Sequence, residues 1–223
     1  MREYAQPFIV QLYEVTKRAF IAYWRNPLYI YTKLMLNFVS GLGVGSSFYK
    51  EGEKNYYIAL QNRLFASFMA LVSATSLSQH LQPEFIRFRG LFEVREKPSK
   101  MYTWPVMVLS ALIVEIPWNL FGGTTYWLPW YYLIHFPTDN KHAGYSWGLY
   151  MLFQIYYCTF AQAMAAVSPN AMIASILFST FFSFVVVFCG VVQPPNQMPY
   201  FWRSWMFQLS PFCLLYTSDA ADD

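Results

Sequence analysis

Long stretches without a charged side chain constrain this chain more than any other feature of its sequence. Residues 144–202 contain no Asp, Glu, Lys or Arg, and residues 101–138 contain one, Glu115. A helix needs about 20 mainly apolar residues to cross a bilayer, so both stretches are long enough for membrane spans. The chain is 56% hydrophobic and only 12% charged, whereas soluble domains are about 25% charged. We therefore predict an all-α membrane protein.

Prolines, glycines and short polar segments divide the apolar sequence into about five spans. The third span contains Pro105, Pro117 and Pro129, so we expect it to be kinked or broken. The predicted spans cover residues 28–48, 60–81, 101–135, 144–167 and 171–192.

Positive charge orients these spans. Lys and Arg are concentrated before the first span and between the second and third, which places both regions in the cytoplasm by the positive-inside rule. Residues 8–24 have apolar residues at helical spacing and polar residues on the other faces, the pattern of an amphipathic helix in the membrane interface. The apolar stripe consists of Phe8, Leu12, Val15, Ala19 and Tyr23.

Residues 84–97, called the charged segment below, have the pattern of a second cytoplasmic amphipathic helix. Pro83 suits the first turn of such a helix, and Pro98 would end it. Its apolar residues lie among charges, as in a helix that docks on a partner domain. A solvated loop that only satisfies the positive-inside bias is the alternative.

The glycine-rich run in the first span predicts close helix packing rather than nucleotide binding. Gly41 and Gly45 form a G-x-x-x-G pair, which allows another helix to approach closely. The phosphate-binding pattern G-x-x-x-x-G-K-S/T is absent from the chain. The three histidines, His80, His135 and His142, are scattered. We therefore expect no catalytic residues and no metal site in this chain.

Several stretches resemble the second transmembrane domain of fungal pleiotropic-drug-resistance transporters, which are G-type ABC exporters. The most specific are PEFIRFRGLFEVREKPSKMYTWP at 83–105 and VEIPWN at 114–119. The resemblance runs in order over nearly all of residues 1–213. The other matching stretches are YWRNPLYIYTKL, LQNRLFASFM, CGVVQPP and MPYFWRSWMFQLSPF, at residues 23–34, 60–69, 189–195 and 198–212.

The resemblance implies an ABC-2 type transmembrane domain with about five of its six spans. Residues 1–27 would form a cytoplasmic connecting helix, and residues 28–213 the membrane domain. That domain would include a coupling helix at 84–97 and an external segment rich in Pro and Trp at 193–210. Residues 214–223 do not continue an apolar helix, and we interpret them as a non-native tail.

The resemblance also implies a function and partners. The chain would be the membrane-spanning part of an ATP-driven exporter of hydrophobic xenobiotics or lipids in the plasma membrane. It would work with a nucleotide-binding domain, which holds ATP and Mg²⁺ outside this chain, and with the other transmembrane half; nucleic acid is not an expected partner. The coupling helix would contact the nucleotide-binding domain through ion pairs and apolar side chains. Its residues are Phe88, Arg89, Leu91, Phe92, Glu93, Arg95 and Glu96.

The family pattern places a drug cavity between the second and fifth spans of the two halves. For any single residue, ordinary helix packing is at least as good an interpretation. The implied cavity residues are Met69, Ser73, Ser76, Ser179, Phe182, Ser183 and Val186, with Val191 and Val192 as an apolar plug above them.

Glu115 is an acid inside a predicted span, and such residues are candidates for function. We favour a structural role for it, beside the helix break at Pro117, over proton coupling. Asn119, one turn further, is a candidate polar contact to the substrate path. Two alternatives to an exporter are a proton-coupled secondary transporter using Glu115, which would usually show inverted repeats, and a non-transporting scaffold that binds a partner through residues 84–100.

Overall fold

The structure, a computed structural model, describes residues 6–51, 57–136, 140–187, 199–201 and 204; for residues 74–79 and 140 it describes the backbone alone. Within these ranges the regular structure is helical, which confirms the predicted all-α class. The helices are α1 (Phe8–Trp24), α2 (Pro27–Ser47), α3 (Tyr57–Leu91), α4 (Trp104–Ile134), α5 (Asn140–Val167) and α6 (Ala171–Val187), and a π-helical turn at Phe92–Glu96 continues α3.

The helices α2 to α6 alternate in direction, as the predicted orientation requires. The backbone N–H of Lys50, just after α2, donates to the carbonyl of Leu133 near the end of α4 at 3.1 Å. At the opposite end, Arg89 near the end of α3 reaches the carbonyl of Ala165 near the end of α5. The two regions rich in Lys and Arg therefore share one end of the bundle.

Helix α3 does not end before the charged segment, which corrects the prediction of a separate helix beginning at Glu84. Pro83 lies inside α3 instead of in a first turn. A proline removes one helical hydrogen bond, but the residues on both sides of it are held by packing. Gln82 and Phe85 are buried, and the Gln82 amide donates to the carbonyl of Ala174 on α6. Tertiary contacts therefore carry the helix through the proline.

The π-helical turn changes the direction of side chains at the end of the charged segment. Its wide hydrogen bonds join Lys97 N–H to the Phe92 carbonyl at 2.8 Å and Met101 N–H to the Glu96 carbonyl at 3.1 Å. Such bulges are frequent at functional sites. Here the turn buries both Phe92 and Glu96. The helical structure ends at Glu96, as predicted.

The third predicted span is one continuous helix, α4, which excludes the broken form of the kinked or broken helix that we expected. Pro105 occupies its first turn, where no N–H is needed, and Pro117 and Pro129 lie inside it. Among the described helices, α4 is the one that is both long and apolar enough to cross a membrane; α6 is apolar but shorter.

Helix α1 packs its predicted stripe against α4. Val15, Ala19 and Tyr23 are buried there. Two positions differ from the prediction: Phe8 is exposed, and Gln11 is buried in the stripe. The side-chain Oε1 of Gln11 accepts a hydrogen bond from the backbone N–H of Thr103 at 3.3 Å, so this side chain satisfies a backbone donor just before α4.

Polar side chains are buried among the apolar core residues of the bundle, and many large apolar side chains are exposed on its surface. The interior holds charged and amide groups that soluble proteins rarely bury, while each helix exposes bulky hydrocarbon. The buried polar side chains in α2, α4 and α5 include Lys33, Asn37, Glu115, Asn119, Gln154 and Gln162, and exposed apolar ones include Phe38, Val39, Phe121, Leu152, Ile176 and Phe184. This distribution suits a bundle surrounded by lipid.

A close helix contact joins α2 to α4 through the predicted G-x-x-x-G pair. A Cβ atom added to Gly41 would lie 2.6 Å from the carbonyl oxygen of Tyr126 and 3.1 Å from Pro129. A Cβ at Gly45 would lie 3.0 Å from Leu133. The prediction of close packing is confirmed, since a methyl group at Gly41 would clash with the α4 backbone.

We expect Gly41→Ala to destabilise the domain by about 1–3 kcal/mol, because α2 must move away from α4 to make room. Gly43→Ala is the matched control, since a Cβ there meets nothing within 4 Å. Thermal unfolding of the purified protein in detergent measures both effects. Equal midpoints for the two variants would contradict the proposed role of Gly41.

Candidate functional site

A buried ion pair joins α2 to α4. The Lys33 ammonium lies 2.7 Å from Glu115 Oε2, and the Tyr29 hydroxyl donates to Glu115 Oε1 at 2.8 Å. Lys33 is 4% exposed and Glu115 is fully buried. Both carboxylate oxygens therefore have a donor, and the opposite charges lie in direct contact.

The surroundings of this pair are polar on both helices. One turn along α2, the amide of Asn37 donates to the Lys33 carbonyl at 3.0 Å. One turn along α4, the side chain of Asn119 is buried as well. The structure thus places the Asn119 side chain between helices of this chain and not on an exposed surface that could line a substrate path.

These contacts fit the structural role that we favoured for Glu115. An unpaired charge inside a protein is strongly destabilising, whereas a paired one is tolerated. The partner, Lys33, was missed. It is the one charged residue in the predicted first span, so the rule that identified Glu115 would also have identified Lys33.

A second ion pair fixes the end of the charged segment to α1. Arg18 lies 2.5 Å from Glu96, and the Tyr102 hydroxyl also donates to this carboxylate. Burial disfavours the ionised form of Glu96, but the hydrogen bonds from Arg18 and Tyr102 and the charge of Arg18 outweigh it and lower the pKa of the carboxyl. The segment is thereby held to the connecting helix.

Three of the predicted coupling residues face inward, which corrects their assignment as contacts to a partner domain. Glu96 binds Arg18, and Phe92 packs against Val15 and Tyr102. The Arg89 guanidinium donates to backbone carbonyls at the end of α5. A charged or apolar residue in an amphipathic pattern can face either the bundle or the solvent; Phe92 and Glu96 lie in the π-helical turn, whereas Arg89 lies before it in α3.

The outer face of the charged segment remains open within the described residues. It presents apolar and charged side chains together, and Phe88 is only partly buried beneath it. Glu93 on this face lies 3.7 Å from Arg89. From Leu91 onward the exposed residues are Leu91, Glu93, Val94, Arg95 and Lys97; Arg87 is exposed one turn earlier and pairs with Glu84.

The predicted cavity residues lie on α3 and α6, which pack against each other. Met69 is 41% exposed. The hydroxyl of Ser73 donates to the Ala70 carbonyl at 2.7 Å, and Ser183 donates to the Ser179 carbonyl at 2.8 Å. Such bonds to the same helix are the ordinary way to satisfy a hydroxyl in an apolar setting.

Aromatic packing holds the inner side of α6. Phe182 lies 5.7 Å from the Tyr157 ring and 6.2 Å from Phe178, measured between ring centroids. Val186 is partly buried against the same cluster, whereas Ser179 and Ser183 are exposed. The inner side of α6 is therefore packed against this chain, and its outer side is exposed.

Several predictions lie outside the described residues. The side chain of Ser76, the plug residues Val191 and Val192, and the tail at 214–223 are among them. Only 199–201 and 204 are described in the external segment at 193–210. These assignments stay predictions.

Removing one member of the buried pair should cost about 3–5 kcal/mol of unfolding free energy, because the other charge is left buried alone. We expect this loss for Glu115→Gln, where the Lys33 ammonium loses its counter-charge. The double variant Lys33→Met with Glu115→Leu should recover most of the loss. Denaturant titration in detergent micelles measures both, and a Glu115→Gln protein as stable as the parent would contradict the argument.

The junction at Glu96 should weaken in acid. Its pKa in the folded protein lies below the ordinary value of 4.5, so its contribution to stability is present above that value and is lost as the pH falls through the lowered pKa. We expect Glu96→Gln to lose less thermal stability than the parent between about pH 6 and pH 3. An identical loss in the two proteins would contradict this assignment.

The comparisons with known proteins agree with this architecture. The chain is 47% identical over 216 residues to the Brefeldin A resistance protein of Schizosaccharomyces pombe, covering 95% of this chain and 14% of that protein. It is 38% identical over 221 residues to the ABC multidrug transporter atrG of Aspergillus oryzae, covering 96% of this chain and 15% of that protein. The ZEB2-regulated ABC transporter 1 of Gibberella zeae is 39% identical over 224 residues, with 97% and 15% covered.

The chain thus spans about one seventh of the length of these relatives. Residues 10–218 match the ABC-2 type transporter family, so the match includes all six described helices except the first two residues of α1. A helical bundle satisfies its backbone hydrogen bonds internally, as a membrane-spanning segment must, and its buried charges are paired. The chain belongs to the ABC-2 type transporter family.

Proposed function

We propose that this chain is the membrane-spanning part of an ATP-driven exporter of hydrophobic xenobiotics or lipids in the plasma membrane. The observation that carries the proposal is the charged segment, which is fixed to the bundle on its inner side and open on its outer side. Two relatives that align with 95% or more of this chain are named for drug resistance and for multidrug transport. Since the chain spans only part of those proteins, the activity belongs to a larger assembly.

The outer face of the charged segment is the proposed contact with a nucleotide-binding domain. Val94 and Leu91 supply apolar area, while Glu93 and Arg95 supply charges of both signs. Interfaces gain affinity from a few buried apolar residues and orientation from surrounding charges. ATP and Mg²⁺ would bind on that domain, because this sequence has no phosphate-binding loop.

The second proposed surface is the exposed side of α3 and α6. Met69 offers a flexible apolar side chain, and Ser179 and Ser183 add sparse polarity. Such a lining suits bulky hydrophobic ligands of varied shape. A second transmembrane half facing this surface would close the cavity.

The contacts of Glu115 give less support to a proton-coupled transporter. A coupling carboxylate must release and accept a proton during transport, but both Glu115 oxygens are engaged by Lys33 and Tyr29. The scaffold alternative has no observation of its own, since a docking face on the charged segment serves an exporter equally well.

Transport of a hydrophobic fluorescent dye into inside-out vesicles that contain the full-length transporter tests the function. We expect uptake with ATP and none with a non-hydrolysable analogue. Uptake that instead follows an imposed proton gradient without ATP would favour the secondary transporter, and no uptake of any apolar probe would favour the scaffold.

Val94→Asp should reduce the amount of dye moved per ATP by about tenfold, because it places a charge in the proposed domain interface. Ile9→Asp on α1 is the matched control: Ile9 is 77% exposed and Val94 is 80% exposed, both on the same end of the bundle. Dye uptake and phosphate release measured on the same vesicles give the ratio. Equal ratios of dye uptake to phosphate release in the two variants would contradict the proposal that the outer face contacts the nucleotide-binding domain.

A further inference from the structure

We propose that Arg89 is a positioning residue that carries displacement of the charged segment into the turn between α5 and α6, and so to one wall of the substrate cavity. The inference rests on the proposed function. It assigns to Arg89 a contact inside the membrane domain in place of the contact to a nucleotide-binding domain that the sequence suggested.

The geometry of Arg89 is that of a clamp on backbone carbonyls. Its Nη1 donates to the carbonyls of Ala165 and Ala166, both at 2.9 Å. Its Nη2 donates to the carbonyl of Ser168 at 2.8 Å and to that of Pro169 at 3.5 Å. One guanidinium thus spans the end of α5 and the start of the connection to α6.

The chemistry of the partner explains why arginine is needed. The last carbonyls of a helix lack intrahelical donors and carry the negative end of the helix dipole. A guanidinium offers five N–H groups in a rigid planar fork, whereas a lysine ammonium offers a point charge on a flexible stem. A fork can hold two successive carbonyl pairs in fixed relative positions, and an ammonium cannot.

The same helix end has apolar support beside this clamp. Phe85, one turn before Arg89, is buried with Ala165 of α5 and Ala174 of α6. Gln82, a further turn back, donates to the Ala174 carbonyl. The last turns of α3 therefore contact α5 and α6 through three residues at successive turns, Gln82, Phe85 and Arg89.

The charged segment is connected to two different groups of helices. Glu96 joins it to Arg18 of α1 and to Tyr102 just before α4. Arg89 joins it to the turn that leads into α6, which bears the proposed cavity residues Ser179 and Ser183. Displacement of the charged segment would therefore move α6 through Arg89 and α1 through Glu96.

The test is Arg89→Lys in the full-length transporter, with Arg87→Lys as the matched control. Arg87 lies two residues earlier, its side chain is 56% exposed against 16% for Arg89, and it pairs with Glu84 of its own helix. We expect Arg89→Lys to keep ATP hydrolysis within about twofold and to lower dye moved per ATP by about 2- to 30-fold, the range of coupling mutations. The Arg87→Lys protein should match the parent in both.

A merely structural cap gives a different result. If Arg89 only stabilises the end of α5, its substitution lowers the thermal midpoint and reduces hydrolysis and transport together, with their ratio unchanged. That outcome would overturn the inference. ATP-dependent dye transport by the parent protein is measured first. If it is absent, the proposed function is overturned, independently of any variant.

A second measurement needs no substitution and covers the case in which Arg89→Lys fails to fold. Hydrogen–deuterium exchange of the parent transporter is compared without nucleotide and after trapping with ATP and vanadate. We expect exchange to change in peptides covering both 91–97 and 165–171. A change confined to 91–97 would show that displacement is not passed to the turn, and the inference would fail.

Discussion

The pairing of Lys33 with Glu115 across α2 and α4 is the interaction on which the rest of the bundle depends. Two charges can be buried together only if their helices approach closely enough for direct contact, and Gly41 and Gly45 provide that approach about two to three turns further along α2. Helix α4 in turn packs against α1 and α5. The glycine contact and the ion pair thus fix the element on which the others are assembled.

The charged segment depends on this core without being part of it. Its inner face is held by polar contacts to α1 and to the α5–α6 connection, and by apolar packing of Phe85 and Phe92 beside them. Charge-assisted hydrogen bonds of this kind are strong and geometrically specific. They therefore fix the orientation of the segment relative to α1 and to the α5–α6 connection.

Much of this fold could be predicted from the sequence, since apolar length and turn residues set the helices. The exceptions have local causes. Pro83 suggested a helix start, but burial of Gln82 and Phe85 on both sides keeps α3 continuous. The inward direction of Phe92 and Glu96 depends on a π-helical turn, for which no sequence rule was available. Lys33 could have been found, because a lone cation in a span requires a partner.

The continuity of α3 has a mechanical consequence. A helix of 35 residues is about 52 Å long at about 1.5 Å per residue, while the hydrocarbon layer is about 30 Å thick. About 20 Å of the same helix therefore lies beyond the hydrocarbon, and no loop interrupts the helix where it leaves the lipid. A sideways force on the tip becomes a torque on the buried part, so the helix must tilt as a lever or bend at Pro83, where one hydrogen bond is missing.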